Sequence, residues 1–254
     1  MDLDRLRRLL ESYRQGGSDW RTVIAEIQRE MARELLGVRA DPLRWERLGF
    51  PEVVMGRGKS LNQLREAVRR LKPRVLVSRL TPSQMENFSR WSEGELELEV
   101  DARLAYHPSL IQGPVQPYRV YLLTGGTADL PVARECQLCL MACGIPAQLF
   151  ADVGVAGLHR LAPLASDLVG ASAVVVVAGM EASLATLVAS ITPAPVIAVP
   201  SSGGGVTPLA GIESLVSMLS SCVPGLQVVA IDSGVSAAAA IVRILRVGEQ
   251  KEEG

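Results

Sequence analysis

The 254-residue chain has no long apolar run, no surplus of charge of one sign, and few of the side chains that most often carry chemistry, with only two histidines and four cysteines. Each shortage excludes something. With 26 basic against 27 acidic side chains, the sequence lacks the basic footprint that a nucleic-acid binder needs to displace condensed counterions, so nucleic acid is not an expected partner. The most apolar run, ASAVVVVAGM, is about half as long as a bilayer crossing requires and is flanked by turn residues, so no membrane partner is expected. The opening MDLDRLRRLL alternates charges with leucines and has no apolar stretch ahead of a small-residue cleavage site, which argues against a secretory signal and for a cytoplasmic protein. Four cysteines, three of them within eight positions, make no disulfide framework for a chain this large, and an unexported protein keeps its thiols reduced.

What is present is unevenly distributed. Residues 1–117 hold 37 charged side chains, 20 basic and 17 acidic, whereas residues 118–254 hold 16, of which 10 are acidic. The break near Pro114 and Pro117 predicts a small N-terminal α+β domain over residues 1–116 and a second domain over 117–254. In the first, amphipathic surface helices are expected over Leu3–Tyr13 and Trp20–Leu36, where Ile24, Ile27, Met31 and Leu35 recur at helical spacing. Ser60 is placed to cap a helix over Leu61–Leu71, and Thr81–Gln84 reads as a capping box with proline at the first helical position. The segments VVM, RVLVS and ELELEV are the expected strands.

From Tyr118 the pattern becomes β-rich runs that end in glycine or polar loops and are followed by helical stretches, the mark of repeated βαβ units. Five strands are expected: VYLL, AQLF, AVVVV, PVIAV and LQVVAI. Their scant polar alternation predicts a doubly wound parallel sheet in three αβα layers, with ligand outside the carboxyl ends of the strands.

The loops at those ends carry the candidate site. In TGGTADLP, Thr124, Gly125, Gly126, Thr127 and Asp129 lie between a strand and a helix, where glycines allow close backbone approach and the helix start offers N–H groups to a phosphate. The plainer reading is a tight turn capped by Thr127 or Asp129. Ser201, Ser202 and Gly203 open a second glycine-rich loop, which is either a second anion site or a lid. Glu181 follows Gly179 where an apolar strand ends, a position where burial would raise a carboxyl pKa and suit it to act as a base, although glutamates also favour helix starts for dipole reasons. Asp152, His159 and Asp232 occupy comparable loop positions. Cys136, Cys139 and Cys143 fall on one helical stripe with Leu140 and read as core thiols. Cys222, inside SSCVPG, sits among polar and turn residues, where an exposed thiol can act as a nucleophile.

Taken together, TGGTADLPVA, DVGVAGLHRL, VVVVAGMEASL, PVIAVPSS, SMLSSC and VVAIDSG resemble the aminoimidazole ribonucleotide carboxylase (PurE)-like superfamily, and within it the LarB family of nickel-pincer cofactor biosynthesis. RLGFPEVVMGRGKS (Arg47–Ser60) and AYHP (Ala105–Pro108) resemble that family's N-terminal segment, so the likeness runs from about Arg44 to Arg246. It implies a flavodoxin-like, PurE-like fold for the second domain. It also implies a carboxylase and hydrolase that adds CO2 to the pyridinium ring of nicotinic acid adenine dinucleotide and cleaves the anhydride to release AMP, with magnesium assisting.

By this resemblance Cys222 is the nucleophile and Glu181 the base for the ring proton. Thr127 and Asp129 would hold phosphate or a magnesium ion, with Asp129 the metal ligand, and Lys59 of GRGKS would reach a carboxylate or phosphate. The sequence departs from the family where GGGVTP stands for a tyrosine-bearing VGYGAS, IDSGVS for IDNGFG, and SSC for NSC, which bears on the substrate. Two alternatives stand beside this reading: carboxylation of an aminoimidazole ribonucleotide, and a divergent nucleotide-binding module without turnover. Cys222 ends a helix that returns toward the start of the fifth strand. Either that helix is short and oblique, or a neighbouring subunit completes the site; the family's large homo-oligomers favour the second, so a homo-oligomer, an octamer in the superfamily, with intersubunit sites is expected.

Overall fold

The computed structural model describes residues 3–31, 40–41, 44–205 and 207–252. Two helices, α1 (Leu3–Arg14) and α2 (Trp20–Met31), pack on each other at the N-terminus. The predicted extension of α2 to Leu36, with Leu35, lies outside the described residues, as do the side chains of Ile27 and Met31. Ile24 is exposed, and its neighbour Val23 is buried.

A four-stranded sheet follows, built from β1 (Val53–Met55), β2 (Leu76–Ser78), β3 (Glu97–Glu99) and β4 (Leu104–Tyr106) in the order β1-β2-β4-β3. Three strands fall inside the predicted segments. The fourth, β4, was not predicted, because Leu104–Tyr106 is too short and too apolar to alternate. Its place is set by antiparallel pairing with β2 and β3. A short helix α3 (Arg44–Leu48) precedes the sheet, and α4 (Leu61–Leu71), α5 (Pro82–Glu86) and α6 (Phe88–Trp91) connect its strands. Both predicted caps form: Ser60 and Thr81 each accept from the backbone three residues on, and Gln63 and Gln84 reach back to the cap amides. Leu64, Val68 and Leu71 of α4 then bury against Val54, Val75, Val77 and Trp91.

The second sheet is parallel throughout: β5 (Val120–Thr124), β6 (Ala147–Phe150), β7 (Ala173–Ala178), β8 (Val196–Pro200) and β9 (Gln227–Val228), in the order β6-β5-β7-β8-β9. The strand predicted over LQVVAI keeps only two paired residues, since β9 lies at the sheet edge with one neighbour. The helices α7 (Leu130–Met141) and α12 (Gly234–Glu252) pack on each other over one face. The other face is covered by α8 (Leu158–Leu161), α9 (Ala165–Val169), α10 (Ser183–Ile191) and α11 (Ile212–Leu219). Coverage on both sides explains why every residue of β7 is buried.

The two sheets share one core, because Phe50, Leu76, Leu104 and Tyr106 pack with the residues of α7, α12 and β5. Polar contacts reinforce this boundary. The Arg79 guanidinium donates to the Asp232 carbonyl at 3.0 Å, and the Arg246 guanidinium lies 6.0 Å from the Trp45 ring centroid. The loops of the first sheet are thereby held against the carboxyl edge of the second.

Candidate active site

Strand order reverses between β5 and β7, whose following helices α7 and α10 lie on opposite faces, so the loops after these strands part and leave a crevice. The crevice has a volume of about 370 Å³ and is lined by the loops after β5, β6, β7 and β8. The loops meet backbone to backbone. A Cβ on Gly154 would stand 2.4 Å from the Gly125 carbonyl oxygen, and one on Gly203 2.6 Å from that of Ala128, so only glycine permits either approach. Thr124 is fully buried and does not line the crevice; it ties two loops together, its hydroxyl accepting from the Asp152 amide at 3.0 Å and its carbonyl from Val153 at 2.9 Å.

At the crevice floor the TGGTAD loop turns into α7. The Gly126 amide donates to Asp129 Oδ2 at 3.0 Å, while the Thr127 and Ala128 amides have no partner among the described residues. Two free N–H groups at a helix start are the phosphate-cradle arrangement. Asp129 is buried beside them, and its Oδ1 has no hydrogen-bond partner among the described residues. Burial raises the pKa of this carboxyl and the charge of Asp232 adds to the effect, opposed by the Ser201 hydroxyl and the Gly126 and Gly125 amides. The partial burial expected for Glu181 is thus found at Asp129. Glu181 stands exposed at the crevice mouth, with the Ser183 hydroxyl 3.3 Å from its Oε1 and its carbonyl accepting from Ser217. The Gly179-Met180-Glu181-Ala182 turn that places it has left-handed backbone at Met180 (φ 52°) and Ala182 (φ 52°).

Ser201, Ser202 and Asp232 line an adjoining cavity of about 410 Å³, closed on its far side by the first sheet's loops. Asp232 clamps the loop after β8: Oδ1 accepts from the Ser202 amide at 2.7 Å and Oδ2 from its hydroxyl at 2.5 Å. The Ser201 hydroxyl accepts from the Gly203 amide at 3.0 Å. Gly203 borders both cavities.

Lys59 lines neither cavity. Its ammonium donates to the Met55 carbonyl at 3.0 Å, and the residue of its loop that faces the adjoining cavity is Arg57. Cys222 is exposed and borders neither cavity. It does not end a helix as expected: α11 has eight residues and stops at Leu219, three residues before Cys222, with the Ser217 hydroxyl reaching the Glu181 carbonyl and Ser221 bonding Thr186 in the first turn of α10 at 2.9 Å. His159 is exposed on α8 away from the crevice floor. Asp152 lines the crevice paired to Arg160.

Of the expected cysteine stripe, Cys136 and Cys139 are core residues of α7, while Cys143 lies two residues past its end and is part-buried. Cys136 and Cys139 are fully buried, burial pushes both thiols well up, and Cys143 is pushed up to about 12. Among the described residues no three His, Cys, Asp or Glu side chains cluster to hold a metal. One carboxylate oxygen, Asp129 Oδ1, is free to meet a cation, which fits magnesium held mainly by phosphate and water. Residues that sequence reasoning missed are Arg79, Arg103 and Glu135, all lining the adjoining cavity. Arginines are common in the charged first half, and a glutamate within an apolar helix carries no spacing signal.

Comparison with known proteins places each half. Residues 119–253 match the AIR carboxylase family, and residues 32–108 match the LarB/PurE-like N-terminal domain. An uncharacterized protein of Methanocaldococcus jannaschii is 31% identical over 245 residues, an alignment that covers 91% of this chain and 93% of that one.

Proposed function

The chain belongs to the LarB family of the PurE-like superfamily, a carboxylase-type family, and from that membership we propose that it carboxylates the pyridinium ring of nicotinic acid adenine dinucleotide and hydrolyses the anhydride. The products are pyridinium-biscarboxylic acid mononucleotide and AMP, for nickel-pincer cofactor synthesis. The observation that carries this reading is the union of an AIR carboxylase domain with a LarB-type N-terminal domain in one chain.

The chemistry suits the residues. The Cys222 thiolate adds to the electron-poor ring, giving a dihydropyridine whose enamine carbon β to nitrogen, the unsubstituted one across the ring from the existing carboxylate (C5), attacks CO2. Glu181 removes the proton from the carbon that now bears the new carboxylate, the electron pair reforms the aromatic ring, and the thiolate leaves. The free Thr127 and Ala128 amides hold the phosphate of the pyridine half. Asp129 would hold magnesium through Oδ1, which when bound supplies neutralisation of anhydride charge. Water then cleaves the anhydride.

Self-association belongs to the same proposal. Leu209 in the turn before α11 and Ile212, Val216 and Leu219 on it are apolar and each about half exposed or more, and Cys222 follows three residues after the helix. A second copy covering these side chains would bring the thiol and a crevice together.

The test is mass spectrometry of the small molecules after incubation of the purified protein with nicotinic acid adenine dinucleotide, bicarbonate and magnesium. A mononucleotide heavier by one carboxyl group, with AMP, is the expected result, and both should vanish in Cys222→Ser. Unchanged dinucleotide would overturn the reading.

A further inference from the structure

The cavity between the two sheets is not used by the carboxylation chemistry. The first sheet's loops bring three guanidinium groups to it: Arg57 follows β1, Arg79 follows β2, and Arg103 precedes β4. These loops are stitched to one another, the Gly56 amide donating to the Ser78 carbonyl at 2.7 Å and the Leu80 amide to the Arg103 carbonyl at 3.0 Å. Arg79 (φ 54°) and Arg103 (φ 49°) both adopt left-handed backbone to stand there.

The charges are unbalanced. Two carboxylates face the cavity, and each already accepts at both oxygens, Asp232 from Ser202 and Glu135 from the Ser78 hydroxyl and the Val235 amide. Arg79 donates one N–H to the Asp232 carbonyl, while the guanidinium groups of Arg57 and Arg103, both exposed residues, make no hydrogen bond or ion pair among the described residues. Three guanidinium groups thus face two carboxylates whose oxygens are already engaged by other donors, and planar guanidinium groups match the oxygens of a phosphate. Gly203 and Ala128, in close backbone contact, border both this cavity and the crevice.

We propose that this interdomain cavity is a second nucleotide subsite, in which Arg57, Arg79 and Arg103 grip the phosphate of the adenylate half while the crevice holds the pyridine half. The proposal rests on the reading that the substrate is a dinucleotide. It assigns the N-terminal domain the task of holding the AMP that hydrolysis releases.

The test is calorimetric binding of two probes, AMP and nicotinic acid mononucleotide, to the full chain. Arg57→Ala with Arg103→Ala is expected to weaken AMP binding by about tenfold or more, the loss of charge-assisted contacts, and to leave mononucleotide affinity within about twofold. Both side chains are exposed, so a matched thermal melt will show the fold intact. Arg79 is left in place because it also braces Asp232. AMP that fails to bind the unaltered protein, or binds the double variant equally well, overturns the proposal. Failure of the dinucleotide reading is a separate result: the unaltered protein would yield no carboxylated product, while AMP binding and its loss in the double variant would stand.

Discussion

The Ser78 hydroxyl donates to the Glu135 carboxylate across the boundary between the two sheets, and both side chains are buried. The second carboxylate oxygen accepts from the Val235 amide at 3.2 Å, so one side chain of α7 joins β2 to the start of α12. This contact fixes the first sheet's arginine loops beside the crevice.

Burial raises the Glu135 carboxyl above its ordinary value, more than the Ser78 hydroxyl, the backbone amides and the Arg79 charge lower it. The folded state then holds this proton more tightly than the unfolded chain. Its stabilising contribution is full below the ordinary glutamate range and is lost as pH rises through the folded value. Glu135→Gln should therefore gain stability relative to the unaltered protein as pH rises from about 4 to about 8, read from urea unfolding at each pH. A difference that stays constant over that range would show that Glu135 does not titrate differently on folding.

Asp129→Asn should lower turnover by about 100-fold or more. Because burial raises the Asp129 carboxyl, activity that needs its ionised form should fall on the acid side at a pH above the ordinary aspartate range. That limb of the kcat/KM profile should be missing in the variant. A variant that keeps the limb would assign it to another group.

Alkylation separates the four thiols by access. Cys222 is exposed, whereas Cys136 and Cys139 are buried with raised pKa values. Iodoacetamide under native conditions should label Cys222 alone at early times, seen by peptide mass spectrometry, and inactivation should follow that label. Early labelling of the α7 cysteines would mean that α7 opens readily.

Val216→Glu with Leu219→Glu places charge in the exposed stripe of α11. The assembly measured by light scattering should dissociate to monomers and activity should fall with it. Unaltered mass would remove α11 from the interface.

The elements of the fold were legible where local physics suffices. The Ser60 and Thr81 caps form as their spacing predicts, since a capping box is satisfied within four residues. The parallel strands read as apolar runs because both faces are covered. β4 was not legible, for its pairing partners decide it.

The site divides in the same way. Glycine loops at strand ends announced the crevice, because close backbone approach demands glycine at named positions such as Gly154 and Gly203. The sequence alone determined that crevice, the core role of the α7 cysteines and the family. Only tertiary structure decided that the buried carboxyl is Asp129 and not Glu181, that Arg57 and not Lys59 faces a cavity, and that Arg79 and Arg103 join it. Burial and charge proximity depend on loops far apart in the chain: a βαβ pattern states which loops share an edge, but the packing of the first sheet on α7 and α12 sets which side chains meet there.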